Sequence, residues 1–257
     1  MSSNNHKPLP RVICLHGAGS SGAILQAQGR KIFRVLSENF QFIFLDAPFP
    51  SSPGPGMLPV FKDSGPFYRW QCDESAAKNF DITRDEVHQE RNKVKEYLVE
   101  NLLHYHEPGR GAPVVGLFAF SQGARVATGL LNYVEERRRH GMDVLTEEFP
   151  HFRFAIINCA TYPPLFLEDK SSWTQAEHDI SSAGKAMVGC PSLHLHGSYD
   201  PWRPESEGLL EDFYDTRLST KIEFKGGHAV PIRDEDTKEI VATFYQLARG
   251  IETLGLD

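Results

Sequence analysis

The sequence predicts an α/β fold: a doubly wound, mainly parallel sheet of about six strands with helices on both faces. Three observations predict it. Short apolar runs alternate along the chain with segments of helical periodicity, the pattern of βαβ units. The run from Val114 to Phe120 is almost unbroken in its apolar character, which suits a central parallel strand covered on both faces. The polar groups able to carry chemistry fall just after strands, where ligands of such sheets bind.

Each element has its own signal. Arg11 to His16 reads as a buried strand, followed by a glycine-rich turn. Ile24, Leu25, Ile32 and Leu36 recur at helical spacing, so Ile24 to Leu36 is predicted as a helix. Phe40 to Leu45 is a second strand, ending at Asp46. Residues 47–70 are rich in proline, glycine and serine, with Phe49, Phe61, Phe67, Tyr68 and Trp70 interleaved. Two readings of this lid-like stretch stay open: a lid or binding loop, or an ordered surface loop whose rings pin it to the core. Asp81 to His104 reads as a helix with Val87, Val94, Tyr97, Leu98 and Leu102 on one face. Thr83 and Glu86 have the spacing of a capping box at its start. After the Val114 strand comes a helical run from Ala124 to Arg139. Phe152 to Cys159 is a fourth strand, and Tyr162 to Val188 is irregular with some helix. Ser192 to His196, Glu205 to Tyr214, Lys221 to Phe224 and Asp234 to Gly250 read as strand, helix, strand and helix. No low-complexity linker and no repeat divides the chain. Residues 1–257 are therefore expected to form a single domain with a polar tail at 1–10.

Composition narrows the function classes. The formal net charge of −7 argues against a broad nucleic-acid footprint. The basic cluster Arg137-Arg138-Arg139-His140 falls at the C-terminal end of a helix, where the dipole favours cations. Met1 to Pro10 lacks an apolar leader segment, and no apolar run is long enough to span a membrane. Cys14 and Cys159 lie within strands, Cys72 and Cys190 in loops, and no pair has metal-ligand spacing. A reduced, cytoplasmic protein is expected, with no metal, no nucleic-acid partner and no membrane span.

Ala119-Phe120-Ser121-Gln122-Gly123 sits between the apolar third strand and a helix. A serine flanked by small residues in a strand-to-helix turn is the setting of a nucleophile elbow. A helix N-cap is the bland alternative. The fifth strand ends in His196-Gly197-Ser198-Tyr199-Asp200, and the sixth is followed by Gly226-Gly227-His228. Serine, aspartate and histidine thus follow one another in the chain order of a hydrolase triad, each at a strand end. A serine hydroxyl needs an imidazole to accept its proton and a carboxylate to orient that imidazole. Gly226 and Gly227 are expected to free the backbone that turns His228 inward. His16, His194 and His196 read as structural, and Asp169, Asp179 and Asp215 lack the strand-end setting of Asp200. Donors for a developing oxyanion are expected from the backbone amides of Gln122 and Ala18. Phe67, Tyr68 and Trp202 are expected to border the acyl pocket. A rival exists: Gly17 to Gly22 matches G-x-G-x-x-G after a first strand, and Asp46 ends the second, the outline of a dinucleotide site. That reading leaves Ser121, Asp200 and His228 unexplained.

Taken together, Leu15 to Gly22, Asp46-Ala47-Pro48, Gly65 to Trp70, Phe120 to Ala124, His196 to Asp200 and Gly227-His228 resemble the fungal serine hydrolase family of α/β-hydrolases. The resemblance runs from Arg11 to about Arg249. Ala119 departs from the commoner glycine of the elbow. The resemblance implies an α/β-hydrolase fold, a triad of Ser121, Asp200 and His228, and no metal or organic cofactor. It implies an ester or acyl thioester substrate, as in polyketide-releasing thioesterases of the lovastatin and citrinin pathway type, with transient contact to a polyketide synthase carrier protein. A general carboxylesterase and a hydrolase-fold binding protein with little turnover are the alternatives.

Overall fold

The computed structural model describes residues 8–71, 83–107, 109–139, 149–165, 167 and 187–253. Six predicted strands form one parallel sheet: β1 (Arg11–Leu15), β2 (Gln41–Leu45), β5 (Val114–Phe120), β6 (Phe154–Asn158), β7 (Ser192–Gly197) and β8 (Ser219–Phe224). Their order is β2-β1-β5-β6-β7-β8. The chain steps outward from β1 to β2, then returns across the sheet and continues from β5 to β8. The strand order therefore reverses between β1 and β5, and the loops leaving these two strands meet at that crevice.

The pleat divides the core into two layers. Ile13, Leu15, Leu117, Ala119, Ala155 and Ile157 pack with Leu98 and Leu102 of α3 (Arg84–His106), Leu130 of α4 (Gln122–Arg139) and Leu209 of α5 (Arg203–Phe213). Val12, Cys14, Phe118, Phe120, Ile156 and Leu193 face the opposite layer. There they meet Leu25 of α1 (Gly22–Gln28), Phe33 and Leu36 of α2 (Arg30–Leu36), and Ile240 and Phe244 of α6 (Asp234–Thr253). Each fully buried leucine or isoleucine contributes about 1.5–3 kcal/mol by leaving water. Phe33 fixes α2 on its layer through rings 4.8–4.9 Å away on Phe42, Phe44 and Phe118.

Three local features bear on the sequence reading. The predicted capping box forms: Glu86 N donates to Thr83 Oγ1, and the Glu86 carboxylate accepts from Thr83 N. The helix predicted over Ile24 to Leu36 is instead two helices meeting at Gly29, which ends α1 and begins α2. A Cβ on Gly29 would lie 2.3 Å from the Phe33 ring. The 47–70 segment holds a small antiparallel pair, β3 (Phe49–Ser51) with β4 (Phe67–Arg69). Three-residue strands carry too little periodicity to be read from sequence. The irregular stretch expected over Tyr162 to Val188 lies mostly outside the described residues, as do Asp169 and Asp179.

Candidate active site

Ser121 stands between β5 and α4 with φ +55, a left-handed conformation that costs a residue with a Cβ of order 1 kcal/mol or more. The surroundings hold it there. Ser121 N donates to Asn158 O at 3.0 Å, and Ser121 O accepts from Ala124 N at 2.9 Å, opening the helix. The turn is tight on one side: a Cβ on Gly123 would lie 2.3 Å from Leu15 O and 2.6 Å from His16 O. Ala119, on the strand side, is wholly buried between Leu15 and Ile157 of the neighbouring strands.

The structure brings Ser121, His228 and Asp200 together across 107 and 28 residues of sequence. His228 Nε2 is 2.8 Å from Ser121 Oγ, and His228 Nδ1 is 2.9 Å from Asp200 Oδ2. A carboxylate only accepts, so Nδ1–H donates to Asp200, leaving Nε2 to accept the serine proton. The Asp200 side chain is 1% exposed, and its other oxygen accepts from Trp202 N at 2.9 Å. The imidazole is clasped by Trp202 and Phe120, at 4.6 and 5.1 Å between ring centroids.

Two supports of this pair were not legible beforehand. The geometry demands a glycine at 197, where a Cβ would fall 2.4 Å from Gly227 O, and a Cβ on Gly226 would fall 2.6 Å from the Phe224 ring. Gly226 and Gly227, expected to supply backbone freedom, adopt no left-handed φ. Cys159, read as an ordinary strand thiol, sits just past β6 with φ +45 beside Asp200. Burial, then the Asp200 charge, push its thiol well up, so it stays protonated and can donate. Among the described residues, the ligand atoms of Cys159, Asp200 and His228 are the one group converging within 4.8 Å. Within this group the Asp200 carboxylate and the His228 ring are already hydrogen-bonded to each other at 2.9 Å.

His16 anchors the loop after β1. Its Nδ1–H donates to Gly17 O at 2.7 Å, and Nε2 accepts from Ala47 N at 3.0 Å. Burial pulls its pKa down to about 4, against the raising pull of the Gly17 carbonyl and Asp46. This neutral, structural role agrees with the sequence reading. His194 is likewise buried, bonded to Ser192 Oγ at 3.0 Å, with its pKa lowered to about 3 by burial and His196. The G-x-G-x-x-G turn is used structurally: Ser21 caps α1, and Asp46 accepts from Gly22 N at 2.8 Å.

The 47–70 segment is fastened to this loop at several points. Gly54 N donates to Gly19 O, and Ser20 pairs with Tyr68 in both directions. Trp70, fully buried, donates from Nε1 to His16 O at 2.8 Å. The Gln122 side chain accepts from Trp70 N and donates to Gln71 O, each at 2.8 Å. Gln122 thus ties the segment to the elbow, a role its sequence position did not suggest.

A cleft of about 320 Å³ opens over Ser121 and His228. Gly17, Ala18 and Gln122 line it, as does Trp202. Phe67 and Tyr68 do not. Tyr68 packs toward the core, while Pro55 and Met57 of the same segment reach the cleft.

The family model described as Serine hydrolase (FSH1) matches residues 5–240. The chain is 38% identical to Thioesterase FSL2 of Gibberella zeae, over 93% of this chain and 93% of that relative. It is 31% identical to the dihydromonacolin L-(lovastatin nonaketide synthase) thioesterase of Aspergillus terreus, over 95% and 94%. Esterase FUS5 of Gibberella moniliformis is 35% identical over 90% and 84%. In structure, the chain is similar to esterase PE8, with TM-score 0.56 and 20% identity over 96% of both chains. The acyl-protein thioesterase 2 of Zea mays gives 0.52 at 15% identity, also over 96% of both. With the parallel sheet and the strand-to-helix serine described above, these similarities make the chain an α/β-hydrolase enzyme that belongs to the FSH1 serine hydrolase family.

Proposed function

We propose that this serine hydrolase cleaves acyl thioesters through an acyl-enzyme, with Ser121 as nucleophile, His228 as general base and acid, and Asp200 as the group that orients His228. The observation that carries this reading is the unbroken chain from Ser121 Oγ through the imidazole to the buried Asp200 carboxylate, at 2.8 and 2.9 Å. In acylation, the Ser121 oxygen bonds to the carbonyl carbon while its proton passes to Nε2. The oxyanion falls to the amides of Gln122 and Ala18. Gln122 is the first residue of α4, where N–H groups have no intrahelical partner, and both residues line the cleft. Collapse expels the thiolate, which takes the proton from Nε2 and leaves as the thiol. Water then attacks the acyl-serine with the same groups, releasing the acid.

The substrate is a polyketide-type acyl chain presented by a synthase carrier protein in transient contact. The thioesterase names of the two relatives from Gibberella zeae and Aspergillus terreus support this reading. No helix among the described residues is long and apolar enough to cross a membrane. The free thiols of Cys14, Cys159 and Cys190 suit a reducing cytoplasm. The relatives named esterases favour a second reading, a general carboxylesterase. The deciding assay compares kcat/KM for N-acetylcysteamine thioesters and ethyl esters of the same acids. Preference for the thioesters across chain lengths is expected; equal turnover of the ethyl esters leaves the carboxylesterase.

A further inference from the structure

Among the described residues, two that are not glycine have a left-handed backbone: Ser121 at φ +55 and Cys159 at φ +45. They leave the neighbouring strands β5 and β6, and these strand ends are cross-linked. Ser121 N donates to the carbonyl of Asn158, the last residue of β6, at 3.0 Å. The elbow accounts for the strain at Ser121. At position 159 glycine would adopt the same conformation without strain. The chain instead carries a side chain there, wholly buried. Strained residues cluster at active sites, held in place by the structure around them.

That side chain meets the loop that carries His228. The Cys159 sulfur lies 3.9 Å from Gly227 O and 3.7 Å from Ala229 O, the carbonyls on either side of His228. A thiol has one proton, so it donates to one of them at a time. Burial keeps that proton on sulfur. Asn158 Nδ2 donates to the same Ala229 carbonyl at 3.4 Å. The Cys159 sulfur, the Asp200 carboxylate and the His228 ring also converge within 4.8 Å. The loop itself, Lys225 to Arg233, belongs to no strand or helix. Ahead of His228 it is held by Tyr199 N on Gly226 O at 2.9 Å. The end of β6 therefore touches both halves of the triad. Its backbone holds the nucleophile's amide, and its thiol holds the carbonyls that flank the imidazole.

We propose that Cys159 is a positioning residue: by binding the Gly227 and Ala229 carbonyls, its thiol sets the reach of His228 Nε2 to Ser121 Oγ. The proposal rests on the triad reading above, but not on whether the leaving group is a thiol or an alcohol. The imidazole works in acylation and again in deacylation. A misplaced ring slows both steps together, so kcat falls while KM, which follows the ratio of the two steps, stays.

The test measures kcat and KM for p-nitrophenyl butyrate, per site titrated by a fluorophosphonate, in wild type, Cys159→Ala and Cys159→Ser, each with a thermal melt. A misplacement near 1 Å costs on the order of a hundredfold in rate. Asn158 and Tyr199 still hold the loop when the thiol is gone, so Cys159→Ala should lose about 10-fold in kcat at unchanged KM. Cys159→Ser keeps a donor and should recover part of that loss. Wild-type kcat in Cys159→Ala overturns the proposal, even if the melting temperature falls, because that is a packing role alone. A loss carried by KM instead of kcat overturns it too, as does a Cys159→Ser no faster than Cys159→Ala. If Cys159→Ala does not fold, Cys159→Gly, unstrained at φ +45, takes its place, and wild-type kcat there overturns the proposal. His228→Ala is run alongside. Near-normal turnover in that variant would strike the triad reading and this proposal with it. A dead His228→Ala beside a full-speed Cys159→Ala would strike this proposal alone.

Discussion

Gly123→Ala probes how closely the elbow is packed against the first strand. The added Cβ would fall 2.3 Å from Leu15 O, 2.6 Å from Leu15 C and 2.6 Å from His16 O. Carbon–oxygen contacts ordinarily begin near ~3.3 Å, so the overlap is roughly 1 Å. The obstructing atoms are backbone, and no rotamer change relieves them. Either α4 lifts away or the Leu15-His16 peptide retreats. Overpacking of this kind costs about 1–3 kcal/mol, and the upper half of that range applies where only backbone can yield. For a chain of this size that is a fall in Tm of about 5–10 °C. Catalysis should suffer separately, because both routes move Ser121 relative to the loop that carries Ala18. A displacement near 1 Å costs on the order of a hundredfold in rate. The assay pairs a thermal melt with kcat/KM on p-nitrophenyl butyrate well below either melt, normalised to sites titrated by a fluorophosphonate. Ala119→Gly is the comparator: it removes a methyl from a strand interior, costs about 0.5–1 kcal/mol, and should leave the rate near normal. Wild-type Tm and kcat/KM in Gly123→Ala would refute the claim that this approach is tight.

Other perturbations follow from the same geometry. Ser121→Ala and His228→Ala should each lower turnover by roughly four to six orders of magnitude, and Asp200→Asn somewhat less; near-normal turnover of purified Ser121→Ala would remove serine from the mechanism. Gln122→Ala strands the buried Trp70 N–H, so stability should drop by about 1–3 kcal/mol in urea titration while the Gln122 backbone amide stays; unchanged stability would mean that water replaces the side chain. His16 and His194 are neutral when folded, with pKa values near 4 and 3 against 6.5 unfolded, so below about pH 6.5 the unfolded chain binds protons the folded one refuses. Stability should therefore fall with pH through the window from 6.5 to 4, by up to about 1.4 kcal/mol per pH unit for each histidine. A urea midpoint constant between pH 7 and 5 would show that one or both rings charge in place.

The sequence by itself determined the layered framework and the chain positions of the polar groups at strand ends. The alternation of buried runs with helical periodicity reports a strand or helix directly, because burial on one or both faces selects residues at fixed spacing within a few positions. Ser121 was legible for the same reason: a strand, small neighbours and a helix all lie within the same short stretch. The Thr83–Glu86 cap is likewise local. The break at Gly29 was less legible, since apolar spacing continues through it and only the approach of Phe33 marks it. What surrounds the serine was decided by tertiary structure. That Met57 rather than Phe67 or Tyr68 lines the cleft depends on how the short β3–β4 pair docks on the loop after β1. That Gly197 must lack a side chain depends on the approach of two loops 30 residues apart in sequence. Cys159 beside Asp200 and Gln122 bridging to Trp70 are contacts between elements that periodicity cannot relate. A residue's own neighbours in sequence set its backbone, but only the packed sheet sets which distant group its side chain meets.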